Sequence, residues 1–289
     1  KKNWLGNIKM AIAKFKRNEG LFNHVILMIL AMTIILPLSV LFFNSIKPQS
    51  EFASNPLGFP SKIRFMNYYD AWVIGGYARI FLNSFILVVG TLIINLTLSG
   101  MAAFSLAVLN PRGRITIVLG IYLLVGISIP AQMFILPLFI LWKNLHLTNT
   151  YIGLIIIYSA LNAPFAVFLI RSYMIQLPSE LFDAAKIDGA NTFQLFYKIA
   201  VPLSWPVFLT TGLVVGLAVW NEFLFALTFM QTEALKPIST ILFAFQSRFE
   251  NDYSLVSAAS IMMAAPIAIL FMFFQRKFIA GLTGGGLKG

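Results

Sequence analysis

Glu222 stands inside a long apolar run, 203–230, directly after Trp220 and Asn221. A carboxylate left charged against lipid would cost several kcal/mol, so it must pair, line a cavity or exchange a proton. Asn83 and Asn95 interrupt a second apolar run and Asn162 a third. Buried carboxamides need partners and commonly face a bundle or a cavity, so Asn83, Asn95, Asn162, Trp220, Asn221 and Glu222 are the candidate lining of a path across the bilayer. Other chemistry is hard to find. The chain has no Cys, which excludes disulfides and thiolate catalysis. Its two histidines, His24 and His146, lie near the edges of apolar runs and read as interfacial groups, and no metal site is expected. No Gly-x-x-x-x-Gly-Lys-Ser/Thr phosphate cradle occurs; Gly281, Gly284, Gly285 and Gly286 belong to the last residues and do not follow a strand.

A different kind of site is suggested by SELFDAAKIDGANTFQLFYKIAVP, residues 179–202 between two apolar runs. Pro178 fits the opening of a helix, Ser179 its cap, and Glu180 and Asp183 the end that favours negative charge. Leu181, Phe182, Ala184, Ala185 and Ile187 give it an apolar and small surface, and Gly189 after Asp188 is a stop. Asn191 can cap a second short helix carrying Phe193, Leu195, Phe196 and Ile199. Two short helices meeting at a glycine make a compact knob. The small side chains of Ala184 and Ala185 would let another protein's surface approach the backbone, with Lys186 and the carboxylates at the rim. Packing of the same aromatics on lipid headgroups explains the periodicity equally well.

The elements that must carry these residues are set by composition. Of the 289 residues 59% are hydrophobic and 11% charged, against about 25% charged in globular chains. This is an all-α membrane protein. Six apolar runs are predicted as transmembrane helices, at 25–46, 80–109, 115–142, 151–170, 203–230 and 254–274. The first is about 33 Å long as helix, enough for a hydrocarbon core of about 30 Å. It is too long for a signal-peptide core and is followed by no small-residue cleavage pattern. Pro37, Pro130, Pro137, Pro164, Pro206 and Pro266 lie in or near the runs, which favours a bundle in which neighbours complete the broken hydrogen bonding. The net charge of +11 would suit nucleic acid, but the basic residues cluster beside apolar runs and set orientation instead. With both termini inside, the inner segments hold 14 of the Lys and Arg residues and the outer segments 7. That bias puts residues 179–202 in the cytoplasm. Residues 1–20 read as an amphipathic interfacial segment with Trp4, Ile8, Ile12 and Phe15 at helical spacing, and the outer segment 47–79 as an aromatic-rich loop folded on the interface.

Asp183-Ala184-Ala185, three residues, Gly189 and then Ile199-Ala200-Val201-Pro202 resembles the signature cytoplasmic loop of permease subunits in binding-protein-dependent ABC importers, with Asp in place of the commoner Glu. Asp188-Gly189-Ala190 with Phe196 and Ile199, the run Trp220-Asn221-Glu222-Phe223 and the terminal Gly281-Leu282-Thr283 with Leu287-Lys288-Gly289 are closest to the carbohydrate branch, especially the maltose-type second permease subunit. The resemblance implies the type I ABC importer permease fold in a bacterial or archaeal cell membrane. It implies, as partners, a homologous second permease, two ATPase subunits that bind ATP and Mg2+, an extracellular solute-binding protein and a carbohydrate cargo. This chain would bind no cofactor and would not itself be an enzyme. Glu180, Leu181, Phe182, Asp183, Ala184, Ala185, Lys186, Asp188, Gly189 and Ala190 would form the coupling helix seated on an ATPase, and Leu282, Thr283, Gly284 and Lys288 would approach the ATPase interface. Trp220 could stack on a sugar ring. Two other readings stay open: an ion-coupled secondary transporter with Glu222 as its coupling carboxylate, and a non-transporting scaffold.

Overall fold

The computed structural model describes the backbone of residues 2–241 and 252–284, and side chains within 22–241 and 252–275. The chain divides into two units, residues 1–71 with 251–261 and residues 72–250 with 262–289. Among the described residues every regular element is helical.

The first unit is built on α1 (Lys2–Ser45), which runs without interruption through the expected boundary at residue 20. From residue 22 to 38 each side chain of α1 is exposed. A helix that apolar on all sides needs lipid or another chain around it. Its far end is tied down. Lys47 is fully buried, and its Nζ donates to Asn44 Oδ1 (3.1 Å), to the carbonyl of Asn55 (2.9 Å) and to that of Gly58 (2.6 Å). Asn67, on α3 (Met66–Ile74), donates from Nδ2 to the carbonyls of Ser45 and Lys47 at 3.0 and 2.7 Å. Between them lies α2 (Gln49–Ser54), whose Glu51 carboxylate accepts the backbone N–H of Ser61 at 2.5 Å and of Lys62 at 3.2 Å. The segment 47–74 is therefore a folded unit held by main-chain capping, consistent with its aromatic and proline content.

The second unit is a bundle around α4 (Tyr77–Phe104) and α7 (Tyr151–Met174). These two helices pack closely because Gly90 omits a side chain where a Cβ would stand 2.5 Å from Ile155 Cδ1. Against them lie α5 (Arg114–Ser128) and α6 (Ile135–Asn144), with a 3-10 turn Ala131–Phe134 before α6. The expected third span is thus broken. Arg114–Ser128 and Ala131–Asn144 meet at 92° around Pro130, which removes a backbone donor where the chain turns. The expected fifth span is also divided. α8 (Ser179–Ile187) and α9 (Thr192–Leu203) form the predicted knob, and α9 meets α10 (Trp205–Asn221) at 78°. After a break at Glu222 and Phe223 comes α11 (Leu224–Phe229). The last helix, α12 (Tyr253–Gly284), carries Pro266 inside it. Among the described residues four helices are long and apolar enough to cross a membrane uninterrupted, and up to six spans result if each bent pair counts as one.

At two places the α-helix widens by one residue into π-helix: Ser105–Leu109, continuing α4, and Leu195–Ala200, within α9. Both belong to one buried apolar cluster that also contains Phe182, Ile170, Met174 and Phe208.

Candidate functional site

The knob is built as a rigid piece. Pro178, not Ser179, occupies the cap position of α8, and Ser179 is the first helical residue; no side chain caps this end. Glu180 lies in the first turn and Lys186 in the last, each at the end that the helix dipole favours for its charge. Lys186 Nζ pairs with Asp183 at 3.0 Å on the exposed face. The stop is a full Schellman closure: Gly189 donates its N–H to the carbonyl of Lys186 at 3.0 Å, and Ala190 to that of Ala185 at 2.9 Å. Gly189 has φ +81°, the left-handed region that glycine adopts at no steric cost. Asn191 then caps α9 reciprocally, its Oδ1 accepting from Gln194 N and its own N–H donating to Gln194 Oε1, both at 2.9 Å.

The faces of α8 differ sharply. Glu180, Leu181, Asp183, Ala184, Lys186, Asp188 and Gly189 are exposed, and Ala185 and Ala190 are half-buried. Phe182 is 3% exposed and turns into the bundle, so it is not part of the outer surface that the sequence suggested for it. Ile187, absent from the expected contact set, is 86% exposed at the tip. Ala184 lies on the same outer side, and a methyl there lets a second protein reach the helix backbone. The helix phase carries this signal: 180, 184 and 187 fall on one side, with 182 opposite.

The six polar membrane residues do not converge. Asn83 is buried, donating from Nδ2 to the carbonyls of Ala234 and Lys236 at 2.9 Å each and accepting the Tyr151 hydroxyl at 2.7 Å. Its neighbour Ser84 accepts the N–H of Ile238 at 2.7 Å. Together they staple the segment after α11 to the start of α4. Asn95 is buried between α4 and α7, donating to the Ser159 carbonyl at 2.8 Å. Asn162 donates back along its own helix to the Tyr158 carbonyl at 2.8 Å. Trp220 is buried, its Nε1 donating to the carbonyl of Met263 at 3.3 Å and its ring meeting Phe81 edge-on at 5.3 Å. The ring is thus packed against Phe81 and also borders the apolar groove beside α10. Asn221 alone of the six is exposed.

Glu222 has a structural occupation. One carboxylate oxygen accepts the N–H of Phe225 (3.0 Å), and the other accepts the N–H of Ala226 (3.0 Å) and the hydroxyl of Tyr158 (2.8 Å). It closes the first turn of α11 and ties the break between α10 and α11 to α7. Tyr158 was not among the residues expected from sequence. Its signal was spacing: Tyr151 and Tyr158, seven apart, share a face of α7 and answer Asn83 and Glu222 respectively.

A groove of about 700 Å3 in the second unit runs beside α4, α9, α10 and the 266–274 part of α12. Its lining holds no charged or carboxamide side chain, and it offers almost nothing for a hydroxyl to bind. Among the described residues no group of three or more His, Asp or Glu side chains could hold a metal ion. Backbone helix continues through Leu282, Thr283 and Gly284; Lys288 lies outside the described residues.

Known proteins sharing this architecture identify the family. Residues 95–283 match the family described as binding-protein-dependent transport system inner membrane component. The chain is 36% identical over 264 residues to the arabinooligosaccharides transport system permease protein AraQ of Halalkalibacterium halodurans, covering 90% of this chain and 93% of that protein. It is 32% identical over 257 residues to the trehalose transport system permease protein SugB of Mycobacterium tuberculosis, covering 88% and 93%. Among solved structures, a chain of a bacterial ABC transporter involved in import of the acidic polysaccharide alginate superposes with TM-score 0.78 at 24% identity, covering 91% of this chain and 97% of that one. That match shows the fold, and the sequence matches show the lineage. The chain belongs to the family of binding-protein-dependent transport system inner membrane components, the permease subunits of ABC transporters.

Proposed function

We propose that this permease moves a sugar or oligosaccharide, handed over by an extracellular solute-binding protein, through a bundle formed with a homologous second permease. Two cytoplasmic ATPase subunits supply the work, and ATP and Mg2+ bind to them. Both termini and α8 face the cytoplasm, as the distribution of Lys and Arg favours. The observation that carries the reading is α8 itself: a helix hard-stopped at Gly189, anchored inward by Phe182 and presenting Ala184, Ile187 and a charged rim outward. Such a surface suits seating in a groove of an ATPase. Glu180, Leu181, Asp183, Ala184, Lys186, Asp188 and Gly189 would face that groove, with Ala185 and Ala190 at its edge. The end of α12, Leu282 to Gly284, and Lys288 beyond it, would approach the same partner.

The sugar-bearing names of AraQ and SugB support a carbohydrate cargo. Within the membrane, Asn221 beside the break in the helix is the polar side chain best placed to meet it, because interrupted helices expose backbone groups at the depth where transporters bind cargo. Glu222, occupied by three donors, has no exchangeable role of the kind an ion-coupled carrier needs. The test is uptake in vesicles containing the co-purified assembly. Uptake should require ATP and the external binding protein and persist when ion gradients are collapsed. Loss of uptake with the gradient, or purification without ATPase chains, would overturn the reading.

A further inference from the structure

The exposed side of α8 offers a contact to a partner; its buried side shows where a push would go. Phe182 is the one fully buried residue of this helix. Its ring centroid lies 6.2 Å from that of Phe104, which in turn lies 5.5 Å from Phe196. Both neighbours lie at a π-turn, one beside it and one inside it. Phe104 is the last residue of α4 before the π-turn Ser105–Leu109, and Phe196 lies within the π-turn Leu195–Ala200 of α9. A π-turn holds one residue more than the α-helix around it, and such insertions concentrate where helices do functional work. The same cluster takes in Ile170 and Met174 of α7 and Phe208 of α10, whose ring packs so closely on Gly100 of α4 that a Cβ there would lie 2.7 Å from Phe208 Cζ.

We infer that Phe182 is the positioning residue through which displacement of α8 enters the membrane bundle, delivering it through Phe104 and Phe196 onto the two π-turns. The inference rests on the reading of α8 as the ATPase contact. Besides its two chain connections and the half-buried Ala185, which packs on the same cluster, this nine-residue helix grips the bundle through what it buries. Here that is one ring, set against Phe104 at the end of α4, which in turn meets Phe196 in the π-turn of α9. Tight packing at Gly100 carries the displacement on, because a filled interior shifts between arrangements instead of compressing.

The test is the number of cargo molecules moved per ATP hydrolysed, measured on the assembled complex with its binding protein in proteoliposomes. Mere misfolding removes whole complexes and lowers both quantities together, leaving the ratio unchanged. Phe182→Ala should lower the ratio about five-fold, the lower end of ordinary coupling between sites. Phe182→Leu should lie between it and the wild type, and Phe182→Tyr should restore most of the ratio. If Phe182→Ala does not assemble, Phe182→Leu decides alone. An unchanged ratio in Phe182→Leu, or equal falls in uptake and hydrolysis in both variants, overturns the inference. Ala184→Trp, on the outer face, tests the underlying reading separately. Loss of ATPase chains on purification supports α8 as the docking helix, and their full retention overturns that reading whatever Phe182 does.

Discussion

The Tyr158 hydroxyl donates to the Glu222 carboxylate at 2.8 Å, joining the middle of one membrane helix to the break in another. The same carboxylate accepts two backbone N–H groups of α11. Tyr158→Phe removes one donor and should cost about 1 kcal/mol. Glu222→Ala leaves both backbone donors and the hydroxyl unpaired inside the bundle and should cost more, about 2 kcal/mol or above. Thermal unfolding of the purified protein in detergent would rank them, and equal stability of Glu222→Ala and wild type would contradict the capping role.

Gly189 meets no atom within 4 Å at the place a Cβ would occupy, so a substitution there feels only its positive φ. Gly189→Val should therefore weaken the knob by about 1–2 kcal/mol of backbone strain, and Gly189→Asn by less. Binding-protein-stimulated ATP hydrolysis by the reconstituted complex should fall in the order wild type, Asn, Val. Wild-type stimulation in the valine variant would show that the stop is dispensable.

Two glycines on tightly packed helices should respond unequally to alanine. At Gly90 the obstacle is the flexible end of Ile155, which can swing aside. At Gly153 it is the Leu147 carbonyl, which an added Cβ would overlap, together with the Thr150 hydroxyl that caps α7 and the Trp142 indole that donates to the Gly153 carbonyl at 3.0 Å. Gly153→Ala should cost about 1–3 kcal/mol, as overpacking does, and Gly90→Ala less. Comparing melting temperatures of the two variants checks this order.

The Glu51 carboxyl is held below the usual range, chiefly by the backbone N–H of Ser61 and further by that of Lys62. Its folded pKa lies below its unfolded one, so its contribution to the 47–74 segment is complete above the ordinary carboxylate value of about 4 and is lost as pH falls through the depressed value. Protease cutting within residues 55–65 should rise across that acidic window. Glu51→Gln should be cut more readily at neutral pH and show a flatter pH response, and an identical response in both proteins would rule out Glu51 as the titrating group.

Sequence made the apolar runs and the knob legible because hydropathy and capping are local. Asn191 sits where its neighbours demanded a cap, and Gly189 where the helix had to stop. The bends at Pro130 and at Ser204 were not legible as angles, since what packs against a proline decides how far the chain turns. The candidate path was read least well. A carboxamide in an apolar run announces that it needs a partner without naming one, and Asn83, Asn95 and Asn162 all turned to main-chain carbonyls. Phe182 was assigned to the wrong side of its helix because nine residues of mixed apolar character fix a phase only when the surface beneath them is known. The π-turns carry no compositional mark at all.

Lys47 has all three ammonium protons committed, to Asn44, Asn55 and Gly58, and no surface open to solvent. Amine-directed reagents that modify exposed lysines should pass it by for as long as its loop stays closed. Label appearing at position 47 would then be a clock for the opening of that loop, readable by mass spectrometry without any engineered probe.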